Sequence, residues 1–498
     1  MNKIHRFFGI SFLTLALQVI IACGDSSGAN VRKSILAGTW YEGTQAKLTQ
    51  QVDGFLKQVP QTAPNPNRVR ALVVPHAGYE YSGETAAYAY KVLTGAPIRR
   101  VVILGPSHRA AFRGGSIADA DAYETPLGLV NLDKEACKSL RSSSLFQSLP
   151  EADAQEHSLE IQLPFLQRTL KEFTIVPIVV GDISSSDGYE MAKAIQPLLD
   201  EKTLLVMSSD FTHQGPRFGY IPFKDNIRAN VQRLDFAAVN PILNLDANGF
   251  ADFIERTQAT ICGHNPICIG LAALPQQTQV EFVRYATSGD KTKSYDESVS
   301  YSSLVFRERK DYLDEKETAL MLEIARKTLE QNFAEGKAKE YQPEPNLVTE
   351  RLKEKKGVFV TLNKKGELRG CIGDLQGSDP LCQTAAKTVL LSAFRDTRFN
   401  QLQKEELKDV DIEISVMSPR QPVDSWKDIV LGRDGFILEK KGRSALFLPQ
   451  VALEQGWTVE DALKHLCLKA GLQEDDWKSG CSFQTFTAQV FGETFKKQ

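Results

Sequence analysis

The sequence predicts an α/β domain with a largely parallel or mixed central sheet, followed by a second, α+β domain. The chain has 498 residues, 42% of them apolar and 24% charged, which is a globular composition in a chain too long for one hydrophobic core. Short, almost entirely apolar runs recur up to residue 306. Beyond residue 311 the pattern changes to a long amphipathic helix and then to alternating segments, so a domain boundary is expected there.

The apolar runs of the first domain have the length and composition of strands that are buried on both faces. Each is followed by a turn or a polar cluster, and the segments between them, such as 84–93 and 190–199, are long enough for helices on either side of a sheet. The clearest runs lie at 71–74, 101–104, 175–180 and 204–207. We place this domain at residues 36–307.

The second domain is predicted at residues 314–498, after a short charged linker at 308–313. Asp314 and Glu317 have the spacing of a helix-capping pair, and apolar side chains then repeat at every fourth position. These side chains are Met321, Ala325, Leu329 and Phe333. Alternating segments follow at 357–362, 367–372, 410–417 and 445–448. A turn joins the first two, so an antiparallel sheet is expected.

The first 22 residues have the features of a signal peptide. Lys3 and Arg6 precede an apolar run at 7–22 that is shorter than the roughly 20 residues needed to span a bilayer as a helix. Cys23 follows in Ile-Ile-Ala-Cys-Gly, which resembles the bacterial lipobox. We therefore expect an exported lipoprotein, attached through lipid on Cys23 to a membrane of the cell envelope, with residues 23–35 as a tether. The alternative is an ordinary secretory signal followed by a chance cysteine.

Charge and cysteine content argue against two classes of protein. The 59 basic residues nearly balance the 62 acidic ones, and no basic cluster with interleaved aromatic residues is present, so no nucleic-acid partner is expected. Seven cysteines remain after Cys23, an odd number without a Cys-x-x-Cys pair. That pattern does not indicate a disulfide framework, so at least one thiol is expected to have another role.

Histidines are placed at the ends of predicted strands. The chain has only seven, and His76, His108 and His213 each follow an apolar run directly. In open α/β sheets the carboxyl ends of the strands converge on the crevice where ligands bind. We therefore expect these three imidazoles to share one site.

His157 and Cys262 are further candidates for that site. Two neutral imidazoles and one anionic ligand, such as a thiolate, leave open positions on a metal ion, as in non-haem iron sites. Asp210 and Glu156 would orient the imidazoles through their second N–H groups. Each residue taken singly is more often structural, and the pattern leaves metal binding, acid/base catalysis and anion binding open.

Five segments, in order along the chain, resemble the successive motifs of the Memo family. They are Pro-His-Ala-Gly-Tyr at 75–79, Leu-Gly-Pro-Ser-His at 104–108, Glu-His-Ser-Leu-Glu at 156–160, Ser-Ser-Asp-Phe-Thr-His at 208–213 and Thr-Ile-Cys-Gly at 260–263. The match extends from about residue 37 to residue 301. The resemblance implies a fold similar to that of the class III extradiol dioxygenases.

The resemblance also implies an iron or copper ion held by His76, His108 and Cys262. Residues matching His157, Asp210 and His213 would line the same pocket and handle protons or substrate. The cysteine stands where a carboxylate ligand is expected in the dioxygenases themselves. The cysteine therefore argues against ring cleavage. The more general expectation is redox chemistry with oxygen or copper.

Two segments of the second domain suggest chemistry. In Leu-Arg-Gly-Cys-Ile-Gly at 368–373, flanking glycines would let backbone or substrate approach Cys371, and Arg369 would favour its thiolate. The alternative is a strand end where glycine is needed for the backbone geometry and the thiol is inert.

In Ala-Phe-Arg-Asp-Thr-Arg-Phe at 393–399, two arginines flank an aspartate, which suits anion recognition or a surface ion-pair network. His465, without a second histidine one turn away, is expected to be structural.

These segments, with those at 412–419 and 447–452, resemble the AMMECR family over residues 313–498. No reaction is implied by that family, and Cys371 and Arg369 are the catalytic candidates. The two families occur together with a radical SAM enzyme in the AmmeMemoRadiSam system, as its proteins B and A. Such an enzyme would be a separate partner, although its cluster needs a reducing cytoplasm and this chain is expected to be exported.

Three functions remain open at this point. The first is a metal-dependent redox enzyme of dioxygenase-like fold. The second is a non-catalytic module in which the same crevice binds a peptide, a small molecule, an anion or a stored metal ion. The third is a scaffold with a degenerate site.

Overall fold

The computed structural model describes residues 29–60, 67–275, 277–309, 311–335, 339–375 and 377–493. The predicted signal peptide at 1–22 and Cys23 lie outside these residues. Within the described ranges, no helix combines the length and the apolar character needed to cross a bilayer.

Among the described residues, the first domain contains twelve strands. In chain order they are β1 (Val31–Arg32), β2 (Val69–Val74), β3 (Arg100–Pro106), β4 (Gly115–Ser116), β5 (Ala122–Thr125), β6 (Gly128–Asn131), β7 (Phe146–Gln147), β8 (Thr174–Val180), β9 (Thr203–Ser208), β10 (His213–Gln214), β11 (Thr278–Thr287) and β12 (Ser298–Glu308). Nine of them form the central sheet, in the order β10-β12-β2-β9-β3-β8-β4-β7 with β11 beside β12.

The centre of this sheet is parallel and its margins are antiparallel. Strands β2, β9, β3 and β8 run parallel and correspond to the four predicted apolar runs. Strands β12 and β4 pair antiparallel to β2 and β8, respectively. The expected mixed α/β sheet is therefore confirmed.

Helices pack around the sheet in two groups. In chain order the helices are α1 (Gln45–Gln58), α2 (Tyr79–Lys91), α3 (Lys134–Leu140), α4 (Pro150–Asp153), α5 (Leu163–Thr169), α6 (Ser185–Ile195), α7 (Ile227–Leu243), α8 (Ala247–Thr257), α9 (His264–Ala273) and α10 (Ser288–Thr292). Helices α1, α2 and α5 contact one another, and α2 lies on β2, β11 and β12. Helices α6, α8 and α9 form the second group, and α9 lies on β3 and β9. The central strands are buried because helices cover the sheet.

The last residues of the predicted tether are part of the fold. Strand β1 pairs with β5, and the guanidinium of Arg32 forms an ion pair with Glu160 at 2.7 Å. The backbone N–H groups of Ile35 and Leu36 donate to the same carboxylate. Residues 31–35, which were expected to belong to the tether, therefore belong to the first domain.

Over its described residues, the second domain has two four-stranded antiparallel sheets. Its elements are α11 (Glu315–Glu335), β13 (Val358–Lys364), β14 (Glu367–Asp374), α12 (Leu381–Phe394), β15 (Val410–Met417), β16 (Gln421–Val423), β17 (Gly435–Lys440), β18 (Arg443–Phe447), α13 (Val451–Glu454), α14 (Val459–Lys469), β19 (Ser482–Phe486) and β20 (Ala488–Gly492). The sheet orders are β14-β13-β15-β20 and β16-β19-β17-β18. Helices α11 and α12 pack on the first sheet, and α14 packs on the second. The expected α+β fold is therefore confirmed.

Local signals of the second domain also appear in the structure. The backbone N–H of Asp314 donates to Glu317, and that of Glu317 donates to Asp314, so the predicted capping pair caps α11. Strands β13 and β14 form the predicted hairpin. Helix α13 reaches back to the first domain, where it packs on α7 and buries Leu453 in that domain's core.

Candidate metal centre

His76 and His108 lie side by side because of the strand order. His76 follows β2 and His108 follows β3, and the single strand β9 separates these two in the sheet. His157 lies in a loop just before a short 3-10 helix at Glu160–Gln162. The ring centroids are 5.1 Å apart for His76 and His108, 5.3 Å for His76 and His157, and 4.4 Å for His108 and His157.

The nitrogen atoms of these three imidazoles can reach a single ion. One donor atom from each of His76, His108 and His157 lies within 4.8 Å of the others. The sulfur of Cys262, in the loop before α9, is 3.1 Å from Nε2 of His76. The sequence predicts His76, His108 and Cys262 as ligands with His157 beside them. In the structure His157 completes the cluster of nitrogen atoms, and Cys262 approaches it from the side of His76.

A buried hydrogen-bond network fixes the tautomer of His76. The hydroxyl of Ser208 donates its only proton to the carbonyl of Ser158 at 2.7 Å and accepts from Nε2 of Gln162 at 2.8 Å. Nδ1 of His76 lies 3.0 Å from the same oxygen, so it must be the donor in that contact. The lone pair of His76 is therefore on Nε2, which points away from the network and faces the Cys262 sulfur.

Glu156 fixes the tautomer of His108 in the same way. Its carboxylate accepts from Nδ1 of His108 at 2.9 Å and from the backbone N–H groups of His108, His157 and Ser158 at 2.7, 2.9 and 2.9 Å. Burial raises the pKa of Glu156, but the hydrogen bond and the charges of His108 and His157 outweigh it and lower that pKa to about 2. An ionised Glu156 is an acceptor only, so Nδ1 of His108 carries the proton and Nε2 is free.

The electrostatics of the cluster favour neutral imidazoles at His76 and His157. Burial and the charge of His108 hold the pKa of His76 well below its ordinary value. Burial and the charges of His76 and His108 lower the pKa of His157 to about 3. Neutral imidazole is the form that binds metal ions. Nδ1 of His157 is buried and makes no hydrogen bond among the described residues, although it lies 3.4 Å from the Glu156 carboxylate.

Asp210 and His213 lie beside this cluster. Asp210 accepts from the backbone N–H of His76 at 2.7 Å, and burial raises its pKa. His213 places Nδ1 2.9 Å from the carbonyl oxygens of Phe211 and Thr260, so Nδ1 is a donor and Nε2 is free. Burial and the charge of Asp210 hold the pKa of the Cys262 thiol well above its ordinary value. All six residues predicted for the first domain's site are thus neighbours in one place.

The sequence interpretation missed residues that shape this site. Ser208 and Gln162 orient His76, and Trp40 packs on His157 with ring centroids 4.6 Å apart. Ser208 stands at the end of β9, so the same strand-end argument that found the histidines could have found it. Gln162 and Trp40 carry no such signal, because their contacts join distant parts of the chain.

The candidates of the second domain lie apart from this cluster. Arg369 forms an ion pair with Glu406 at 2.9 Å and donates to the carbonyl of Asn400. Arg398, not Arg369, is the cation that acts on Cys371, and burial raises the pKa of that thiol.

The glycines near Cys371 are explained by packing. A Cβ at Gly370 would overlap the carbonyl oxygen of Ser392, and one at Gly373 would overlap the ring of Phe359.

Comparison with known proteins identifies both domains. The sequence model described as "Memo-like protein" matches residues 32–305, more than half of the chain. The chain belongs to the Memo family. Residues 322–491 match the AMMECR1 family, so the Memo domain is fused to an AMMECR1 domain.

Curated Memo relatives match along almost their whole length. "Protein MEMO1" of Xenopus tropicalis is 35% identical, with 56% of this chain and 98% of that protein covered. "Protein memo-1 homolog" of Caenorhabditis elegans is 36% identical, with 55% and 82% covered. Among solved structures, an uncharacterized protein from Pyrococcus horikoshii is 36% identical, with 37% of this chain and 94% of that chain covered and a TM-score of 0.35.

Proposed function

We propose that the Memo domain binds one iron or copper ion through His76, His108 and His157, with the Cys262 sulfur as an additional donor, and acts as a redox protein. The observation that supports this most strongly is the approach of three imidazole nitrogens to within 4.8 Å of one another. The three come from separate loops, so their meeting is a product of the fold.

The donor set fits such an ion. Imidazole is a ligand for iron and copper, and a thiolate favours copper(I) and iron over magnesium or calcium. The Nε2 atoms of His76 and His108 carry lone pairs because their Nδ1 atoms hold the protons, and the His157 ring has a nitrogen within reach of both, so the three rings could ligate one ion. When bound, the metal would supply one-electron redox chemistry and a site for oxygen.

Protein groups around the cluster can hold and move protons. Burial raises the pKa of the Asp210 carboxyl group, and the ring of His213 carries its proton on Nδ1 and a lone pair on Nε2, so both side chains have a group that can hold a proton beside the cluster. Cys262 is a neutral thiol before any ion is bound, and it must lose its proton to become a ligand. Metal binding through the sulfur is therefore expected to release a proton.

Metal analysis of protein purified without oxygen tests the proposal. We expect about one iron or copper ion per wild-type chain and almost none in His76→Ala/His108→Ala, because two of the ligands are lost. His465→Ala is the matched control, since His465 stacks on Trp457 in the other domain. Full metal content in the double variant would contradict the binding site, and zinc in place of iron or copper would contradict the redox role.

We propose separately that lipid on Cys23 attaches the protein to a membrane of the cell envelope. The expected result is incorporation of labelled palmitate by the wild type and none by Cys23→Ser, because the thiol is the only acceptor that the lipobox provides. The detergent-phase partitioning of the two proteins should differ in the same way. Equal labelling of both would contradict the proposal.

A further inference from the structure

Ser209 ties the end of strand β9 to the strand that leads to His76. Ser209 directly follows β9 and is fully buried. Its backbone N–H donates to the carbonyl of Val74 at 2.8 Å, and Val74 is the last residue of β2. His76 follows two residues later. The position of Ser209 is therefore fixed relative to one of the three imidazoles of the candidate metal centre.

The side chain of Ser209 holds the loop that carries Cys262. Its hydroxyl donates to the carbonyl of Asp210 at 2.8 Å and accepts from the backbone N–H of Gly263 at 3.0 Å. Gly263 comes directly after Cys262, whose sulfur lies 3.1 Å from Nε2 of His76. Through Ser209, the same strand end thus holds both partners of the contact between sulfur and imidazole.

Position 263 has no space for a side chain. A Cβ there would overlap Cβ and Oγ of Ser209 and the carbonyl oxygen of Ser208, the last residue of β9. Both serines are fully buried in a packed interior, so neither can move aside freely. An added methyl group is therefore expected to push the loop away from the strand end.

Backbone conformation does not explain the glycine. The φ angle of Gly263 is −91°, which lies outside the left-handed region that favours glycine. Gly263 is also the N-cap of α9, a position that accepts serine or aspartate at least as well. Neither the turn nor the helix cap requires glycine, but the close approach of the loop to the strand end does.

We propose that Ser209 and Gly263 are positioning residues, which hold the Cys262 sulfur within reach of the ion that His76 binds. The inference rests on the proposed function, because it concerns the sulfur donor of that metal centre. It adds that the contact between serine and glycine decides whether sulfur joins the imidazoles as a ligand. The three imidazoles lie on other segments of the chain, so they would still hold an ion when this contact is broken.

Cobalt(II) binding to the full-length protein, prepared without oxygen, tests the inference. A thiolate ligand gives cobalt(II) a charge-transfer band in the near ultraviolet, and competition with a chelator gives the affinity. We expect Gly263→Ala to lose the band and to bind the ion about 10- to 100-fold more weakly, as Cys262→Ser should. Gly270→Ala is the matched control on the same helix, because its added Cβ would meet the flexible side chain of Met207 instead. This control should keep the band.

A double variant separates positioning from general damage to the fold. In the Cys262→Ser background, Gly263→Ala should weaken binding by less than about twofold, because the ligand that it positions is already gone. Ser209→Ala tests the same contact without adding an atom, and it should weaken the band and the affinity only when Cys262 is present. A wild-type band in Gly263→Ala or Ser209→Ala would overturn the inference, as would an equal loss of affinity with and without Cys262.

The wild type distinguishes the two proposals. Cobalt(II) bound without a thiolate band, and bound equally well by Cys262→Ser, would overturn the positioning role and leave the imidazole site intact. A wild-type protein that binds no metal would contradict the proposed function itself.

Discussion

Glu160→Ala is expected to lower the free energy of unfolding of the Memo domain by about 3–5 kcal/mol, because it leaves a buried cation without its partner. The carboxylate of Glu160 is fully buried and accepts from Arg32, Ser34 and Tyr41, each at 2.7 Å. Urea or thermal unfolding measures the effect, and a fall in melting temperature of roughly 10 °C is expected.

Glu160→Ala should also loosen the packing around His157 in the candidate metal centre. The segment that Glu160 holds leads to Trp40, which packs on His157. Glu172→Ala is the matched control, because the Glu172 side chain is 89% exposed and its ion pair with Arg99 should contribute less than about 1 kcal/mol. If both variants unfold like the wild type, Glu160 does not anchor the N-terminal segment.

Glu156→Ala is expected to reduce metal affinity by about 10- to 100-fold, the usual effect of removing a group that orients a ligand. Its carboxylate accepts hydrogen bonds from Nδ1–H of His108 and from three backbone N–H groups. Without it these buried donors are unpaired and the His108 ring loses its orientation, so stability should fall by about 1–3 kcal/mol as well. Competition with a chelator measures the affinity.

A nearby acidic residue separates this effect from a general loss of charge. Glu151 is exposed on the short helix α4, a few residues before Glu156, and Glu151→Ala removes the same charge without touching the cluster. Unchanged chelator competition in Glu156→Ala, or an equal loss in Glu151→Ala, would show that Glu156 does not orient His108.

The sequence predicted much of the fold because its signals were local. Apolar runs predicted the parallel strands, and the spacing of Asp314 and Glu317 predicted the start of α11. The start of the first domain was placed too late, because Arg32 is held by Glu160, far along the chain. A contact of that kind leaves no periodic pattern.

The site was predicted in part for a similar reason. Histidines at strand ends must lie at one edge of a parallel sheet, so His76 and His108 could be assigned together. Which of His157 and Cys262 completes the cluster with His76 and His108 depends on the conformation of their loops. The spacing of residues along the sequence does not reveal that conformation. Arg369 was misleading, because the register of the hairpin shifts between Leu362 and Asn363, and a bulge of this kind re-aims side chains. Arg369 pairs with Glu406, and Arg398 takes the place beside the thiol.

The central claim is that imidazoles from three separate loops hold one ion, and X-ray absorption spectroscopy at the edge of the bound metal tests it most directly. We predict the multiple scattering typical of imidazole rings in the wild type and a weaker pattern in His157→Ala. A first shell made only of oxygen atoms, or a spectrum that is identical in the wild type and in His157→Ala, would contradict this assignment.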